Sequence, residues 1–142
     1  MIKLLGVRMN RTFSIKSTSS DREIFFSKYD GEDFFVELRG NVTATIKVYG
    51  YAPHTYDLAH WFAELGEQDT SWDEAKLWES LEGEFKISAT CSSLGQVHFE
   101  LSLRILPGAD EEAYLQVGLE TELGQIENIS NGASKFFEKK NT

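Results

Sequence analysis

Apolar and polar residues alternate along much of this chain, and a period of two is typical of strands with one buried face. The alternation is cleanest over residues 84–121, where three such runs are separated by SSLG and by LPGADEEA. In QVHFELSLRI, for example, Val97, Phe99 and Leu101 share one face, with polar residues between them. Because both separators are rich in turn-forming residues, the pattern predicts a three-stranded antiparallel meander.

The first half of the chain shows the same alternation in shorter runs. REIFFSKY and FFVELR flank DGED, a strong turn signal, and VTATIKVYGY is rich in the β-branched residues that favour strands. Residues 2–8 and 12–16 predict an initial hairpin. Phe25 and Phe35 alternate with inward-facing neighbours, so they lie either on an open outer face or beneath a helix.

Two segments change to helical spacing. In TYDLAHWFAELG, Leu58, Phe62 and Leu65 recur at intervals of four and three residues, and Gly66 predicts the end of the helix. An Asn-Gly pair weakens the middle of a second helix near the C-terminus and predicts a kink or break there. The apolar stripe of this second helix consists of Leu123, Ile126, Ile129, Ala133, Phe136 and Phe137.

Together these elements predict an α+β fold in which two helices pack on one antiparallel sheet of about six strands, the meander included. The chain has 142 residues, 41% of them hydrophobic, so residues 1–142 are expected to form a single acidic domain with its own core. The N-terminal apolar run ends at Arg8, which is too early for a signal peptide, and there is one cysteine. These features predict a cytoplasmic location.

The two halves of the chain differ in net charge. Residues 1–60 carry eight Lys/Arg and seven Asp/Glu, whereas residues 61–142 carry six Lys/Arg and sixteen Asp/Glu, within a total charge of −9. An acidic field of this size repels phosphate backbones and anionic lipids, so we expect neither nucleic acid nor a membrane as a partner. Attraction of a basic protein and a purely solubilising role both fit this charge.

The acidic charge is densest in WFAELGEQDTSWDEAKLWESLEGE, residues 61–84, which contain all three tryptophans, eight acids and one lysine. Tryptophan is enriched in interface hot spots, and Trp72 has no periodic apolar neighbours, so it either anchors a partner or folds back onto the sheet. Ser71 and Glu74 have capping-box spacing, which predicts a helical turn over Ala75–Trp78 within an acidic linker. The candidate partner-binding residues are Asp69, Trp72, Asp73, Glu74, Trp78 and Glu79.

No residue pattern indicates catalysis or a cofactor. His54, His60 and His98 lack the spacing of metal ligands, although His98 lies beside a glutamate on the polar face of its strand. No phosphate-binding glycine loop or nucleophile elbow occurs. Cys91 falls on the apolar face of its strand, which indicates a buried structural thiol. We therefore assign no catalytic residue, no metal ligand and no cofactor.

The segment WDEAKLWESLEGEFKISATCSSLGQVHFELSLR resembles a bacterial family of unknown function through Trp72, Trp78, the S-L-E that follows, a turn at Gly95 and the V-H pair after it. LGQIENISNGASKFF is similar to the closing helix of that family. The resemblance covers residues 60–137 and extends to small immunity proteins of wall-associated-protein toxin systems. It implies an α+β domain that neutralises a toxin by binding it. Asp73 stands where the family pattern has glycine.

The leading hypothesis is therefore a non-catalytic protein-binding domain, an immunity protein that occludes the active site of a basic toxin. In this mechanism the acidic side chains speed association by electrostatic attraction, and Trp72 anchors the complex. A second hypothesis is a small enzyme that uses a carboxylate in an apolar pocket near Trp72 or Trp78. A third is a structural subunit that self-associates through an exposed strand or an aromatic face, so both monomer and homodimer stay open.

Overall fold

The computed structural model describes residues 11–51 and 53–138. Within these residues the chain forms eight β-strands and two α-helices. The strands are β1 (Thr12–Lys16), β2 (Glu23–Ser27), β3 (Phe34–Arg39), β4 (Ala44–Val48), β5 (Trp72–Glu79), β6 (Phe85–Cys91), β7 (Gln96–Ile105) and β8 (Ala113–Glu122). The helices are α1 (His54–Gly66) and α2 (Ile126–Phe136), and a turn of 3₁₀-helix, Leu123–Gln125, precedes α2.

The described strands form two antiparallel sheets, and this corrects the expectation of one sheet of about six strands. Sheet A has the order β1-β2-β3-β4, and sheet B has the order β5-β6-β7-β8. Helix α1 carries the chain from the last strand of sheet A to the first strand of sheet B. Alternation shows that a strand has one apolar face, but it contains no information on which strands exchange hydrogen bonds. The broader prediction, antiparallel strands combined with two helices, is confirmed.

Sheet B contains the predicted meander of β6, β7 and β8, and its first turn closes with a hydrogen bond from the Ser92 N–H to the Gln96 carbonyl (2.9 Å). In sheet A the DGED turn also forms as expected. The Asp30 carboxylate there accepts the backbone N–H groups of Glu32 and Asp33 at 3.0 and 2.8 Å. β1 matches the second half of the predicted initial hairpin and pairs with β2. The first half, residues 2–8, lies outside the described residues.

Both helices form where the apolar spacing predicts them, and α1 buries its predicted stripe. In the second stripe the four residues within α2 and Phe137 just after it are buried, whereas Leu123 lies in the 3₁₀ turn and is half-buried. Helix α2 runs continuously through Asn131 and Gly132, so the predicted break does not occur. A Cβ atom at Gly132 would lie 3.3 Å from the Cβ of Phe13 in β1. Glycine at this position therefore allows close packing of α2 against sheet A, and that contact stabilises the helix against its local weakness.

One hydrophobic core joins the two sheets and the two helices. Phe26 in β2 is fully buried near its centre and stacks on Phe13 of the neighbouring strand with ring centroids 4.3 Å apart. The same ring makes edge contacts with Phe62 of α1, Phe85 of β6 and Phe136 of α2, at centroid distances of 6.0, 6.2 and 6.3 Å. A single aromatic side chain thus contacts elements of both sheets and both helices.

The outer face of sheet A carries Phe25 and Phe35, and the helices pack on the opposite face. Each ring is half-buried and lies under a cation. The Arg39 guanidinium carbon is 3.8 Å from the Phe25 ring centroid, and the Lys28 ammonium is 5.1 Å from that of Phe35. The alternation allowed Phe25 and Phe35 to lie either on an open outer face or beneath a helix, and in the structure both lie on the outer face. Neither described helix is long and apolar enough to cross a membrane.

Candidate protein-binding surface

The acidic segment that the sequence singles out forms β5, the edge strand of sheet B. β5 pairs with β6 from Lys76↔Ala89 to Glu79↔Lys86, and no described strand pairs with its other side. The predicted helical turn within an acidic linker is therefore wrong. A capping-box signal is local and weak. Pairing with β6 and the burial of Trp78 stabilise the extended conformation of β5 instead.

β5 begins with a bulge that projects acidic side chains into solvent. Trp72 pairs with Cys91, and the next paired residue, Lys76, lies opposite Ala89. Three residues of β5 thus stand where β6 has one, and all three are exposed: Asp73, Glu74 and Ala75. Such bulges bend a strand and redirect its side chains. The bulge therefore removes Asp73 and Glu74 from the regular inward and outward alternation of the sheet.

The three tryptophans of the segment are used mainly in packing. Trp78 is 6% exposed and stacks on the imidazole of His54, at the start of α1, with ring centroids 5.1 Å apart. Trp61 is buried on α1, with an edge contact to Phe62 at 4.9 Å. Trp72 is half-buried, and its indole N–H donates to the Ala89 carbonyl at 3.0 Å. Trp72 is thus partly exposed beside the bulge, and the Lys76 ammonium lies 5.6 Å from its ring centroid.

The exposed carboxylates along β5 form a surface that we call the acidic edge, defined by Asp69, Asp73, Glu74 and Glu79. Asp69 lies in the loop before β5, and Asp73 and Glu74 lie in the bulge. Glu79 ends the strand, roughly 20 Å further on at about 3.3 Å per residue. The structure therefore groups three of the predicted acids at one end of β5 and leaves the fourth at the other.

The histidine on the polar face of β7 has a second carboxylate neighbour that the sequence did not indicate. His98 lies 2.9 Å from the Glu100 carboxylate and 3.5 Å from that of Glu120 on β8. The pairing register of β7 and β8 places His98 opposite Glu120, and this brings the imidazole close to the second carboxylate. No three His, Cys, Asp or Glu side chains in the described part of the chain are grouped closely enough to hold a metal ion.

The thiol of Cys91 lies on the inner face of sheet B, as the alternation predicts. It is 5% exposed, and burial raises its pKa. A raised pKa lowers the fraction of reactive thiolate at neutral pH, so the environment is that of a structural cysteine.

A buried carboxylate joins sheet B to the edge of sheet A, and sequence reasoning missed it. Glu84 is 4% exposed and precedes β6. One carboxylate oxygen accepts the Tyr49 backbone N–H at 2.8 Å, and the other accepts the Ser80 hydroxyl. Two positions earlier, the exposed Glu82 accepts the Tyr51 phenol at 2.8 Å, and this hydrogen bond raises the pKa of Tyr51.

These contacts predict very different costs for removing two neighbouring carboxylates. Glu84→Ala should lower the free energy of unfolding by about 2–3 kcal/mol, because it leaves the Tyr49 N–H and the buried Ser80 hydroxyl without this acceptor. Glu82→Ala is the control, and its exposed site should keep the loss to about 0.5 kcal/mol. Urea denaturation of both variants would measure the difference. Equal losses would contradict the structural role of Glu84.

The structure thus defines an α+β domain with two four-stranded antiparallel sheets, a bulged acidic edge strand and a buried carboxylate between the sheets. The chain belongs to the DUF6228 family, a family of unknown function whose sequence profile matches residues 15–140. This agrees with the resemblance to an uncharacterised family. A search among curated proteins gives no match.

Proposed function

We propose that this protein is a non-catalytic binding domain that contacts a basic partner protein through the acidic edge. The observation that carries the proposal is the bulge in β5, which holds Asp73 and Glu74 in solvent at the edge of a sheet. Charged side chains at a sheet edge discourage pairing with arbitrary strands, and they attract a surface of opposite charge. Both effects favour a selective contact guided by charge.

The surrounding chain strengthens the same electrostatic field. Residues 61–142 carry sixteen Asp/Glu against six Lys/Arg. A field of one sign raises the association rate of an oppositely charged partner by roughly 10- to 1,000-fold, and salt reduces the gain. The accessible part of Trp72 adds an aromatic contact beside the carboxylates, and aromatic side chains often carry much of the binding energy at interfaces.

The more specific proposal is that the partner is a toxin and that binding occludes its cationic active site. Residues 60–137 resemble a family that looks related to small immunity proteins, and this relation supports the proposal. So do the exposed carboxylates, which can take the place of an anionic substrate. Under this proposal the protein acts in the cytoplasm without a cofactor, as a monomer or homodimer, and binds neither nucleic acid nor membrane.

An enzymatic role would instead require a carboxylate in an apolar pocket near Trp72 or Trp78. The carboxylates of the acidic edge are exposed. The buried carboxylate of Glu84 already accepts hydrogen bonds from Tyr49 and Ser80. A general acid or base needs a free position toward its substrate, so these contacts favour binding over catalysis.

The charge-guided contact is tested by reversing the two bulge carboxylates. Asp73→Lys with Glu74→Lys should slow association with a basic partner, isolated by capture from lysate of the source cells, by about tenfold at low salt. Stopped-flow fluorescence would measure the rate, and the wild-type rate should fall steeply as salt increases. A rate that does not depend on salt would overturn electrostatic steering.

The matched control reverses two exposed carboxylates elsewhere, Glu122→Lys with Glu127→Lys, which changes the net charge by the same amount. If binding uses the acidic edge, this control should retain most of the wild-type association rate. Equal slowing by both variants would show that total charge alone matters and that β5 is not the contact surface.

A further inference from the structure

A groove of about 420 Å³ runs beside β4, the edge strand of sheet A. One wall is the strand itself, from Thr45 to Tyr49, and the opposite wall is the Ile105–Pro107 segment at the end of β7. Glu82, Glu84 and Arg104 complete the lining. This volume is within the range of sites that hold small ligands or short peptide segments.

The backbone of β4 presents unpaired hydrogen-bonding groups to this groove. The Tyr49 N–H points away from β3, because it donates to the Glu84 carboxylate at 2.8 Å. In an antiparallel strand, alternate residues direct both N–H and C=O to the same side. The backbone groups of Thr45 and Lys47 therefore point the same way as the Tyr49 N–H, and no described strand pairs with them. An edge of this kind is a template for an additional strand.

Exposed apolar side chains are concentrated around the groove. The described residues include seven large apolar side chains that are exposed. Two of them, Tyr49 and Leu106, line the groove, and two more contact lining residues: Tyr51 donates to Glu82, and Tyr114 lies 5.6 Å from the Arg104 guanidinium. Solvent-exposed apolar groups that cluster in this way mark interaction surfaces more often than scattered ones do.

Two of these side chains are also held in an unfavourable backbone conformation. Tyr51 has φ of 54° and Leu106 has φ of 52°, in the left-handed region that disfavours bulky residues. Asparagine or glycine would fit both positions with less strain. Large apolar side chains at strained, exposed positions cost stability, and such strain is often found at sites of contact.

The charges around the groove are acidic on balance. Glu82 is exposed in the lining, and Asp110 and Glu111 are exposed in the turn that follows its far wall. Arg104 forms an ion pair with Glu112, whereas Lys47 is an exposed cation whose ammonium lies 5.1 Å from the ring centroid of Tyr49, so three carboxylates stand against one lysine. The groove therefore complements a segment that carries basic side chains.

We propose that β4 accepts an extended segment of a partner protein as a fifth strand of sheet A. Its backbone pairs with Thr45 and Lys47, and its alternating apolar and basic side chains contact Leu106 and the acidic rim. The acidic rim favours a basic segment over the sheet edge of a second copy, because a second copy of this chain also carries a net charge of −9. This groove is separate from the bulge at the start of β5 that holds Asp73 and Glu74.

A hexapeptide of alternating lysine and valine, acetylated and amidated at its ends, is a direct probe. Two-dimensional NMR titration should show shifts at Thr45–Lys47 and at Ile105–Leu106. Hydrogen exchange at the Thr45 and Lys47 amides should slow at least tenfold when the peptide is bound. The same peptide with alternate backbone nitrogens methylated keeps its side chains but loses strand hydrogen bonds, and it should bind at least tenfold more weakly. A glutamate–valine hexapeptide should also bind more weakly.

The variant Leu106→Asn separates binding from folding. Asparagine suits the positive φ, so the melting temperature should stay level or rise, while affinity for the lysine–valine peptide should fall about fivefold. Lys28→Asn is the matched control, because Lys28 has φ of 56° and lies outside the groove. It should change the melting temperature in the same direction and leave peptide affinity within twofold of wild type.

Three results would overturn the proposal. The Thr45 and Lys47 amides could exchange slowly in the free protein, either within the monomer or in a dimer, which would mean that the edge is already paired. The methylated peptide could bind as well as the unmodified one. Leu106→Asn could bind the peptide as tightly as wild type. The Asp73→Lys, Glu74→Lys variant should bind this peptide normally, so failure of the groove proposal is distinguishable from failure of the acidic-edge proposal.

Discussion

Phe26→Ala should lower the free energy of unfolding by about 3–5 kcal/mol, one of the largest single losses expected in this fold. The ring is fully buried and contacts β1, α1, β6 and α2. Its removal loses the free energy gained by transferring the ring from water to the core. It also leaves a cavity that elements of both sheets could fill only by moving together. Urea denaturation followed by tryptophan fluorescence would measure the loss.

The adjacent residue provides a matched control, since Phe25 has the same side chain on the opposite face of β2. Its ring is half-buried beneath Arg39. Phe25→Ala should cost only about 1 kcal/mol, from a partly exposed ring and one cation–π contact. If Phe25→Ala destabilised the protein as much as Phe26→Ala, the assignment of inner and outer faces of sheet A would be wrong.

Gly50→Ala should lower the free energy of unfolding by about 3 kcal/mol or more. A Cβ atom at Gly50 would lie 2.0 Å from the Glu32 carbonyl oxygen and 1.9 Å from the Thr55 hydroxyl oxygen. These two atoms form a hydrogen bond of 2.7 Å that ties the start of α1 to the turn before β3. An added methyl group would have to separate them, and it would leave the buried Thr55 hydroxyl without its acceptor.

The control for this substitution is Gly124→Ala, in the 3₁₀ turn before α2. No atom lies within 4 Å of a Cβ built at Gly124, and its backbone conformation is one that alanine adopts freely. The variant should be neutral or gain up to about 1 kcal/mol, because alanine reduces the conformational entropy of the unfolded chain. Thermal and urea unfolding of both variants would show whether a steric clash, rather than loss of glycine itself, determines the cost at Gly50.

Much of the secondary structure could be predicted because its signals are local. The period of two in β6 and β7 and the helical spacing in α1 each depend on residues close in sequence. β5 is the main exception. Its first half has a capping signal and no clean alternation, and its extended conformation depends on pairing with β6 and on the contact between Trp78 and His54.

The candidate surfaces likewise combine features that the sequence predicts with features that only the fold creates. Composition alone identifies the acidic segment, and exposure of Asp73 and Glu74 follows the ordinary preference of carboxylates for water. The burial of Glu84 has no such signal, because its partner Tyr49 lies 35 residues earlier in the chain. The groove beside β4 likewise combines segments near residues 45 and 105 that only the fold brings together.

The sequence by itself determined the strand and helix periods, the acidic charge of the second half and the absence of a recognisable catalytic motif. Only the tertiary structure decided that the strands divide into two sheets, that the tryptophans pack mainly within the fold, and that β4 and β5 are edges. The physical reason is that periodicity specifies which face of an element is apolar. Hydrogen-bond pairing and burial of a charge depend on partners that are distant in sequence.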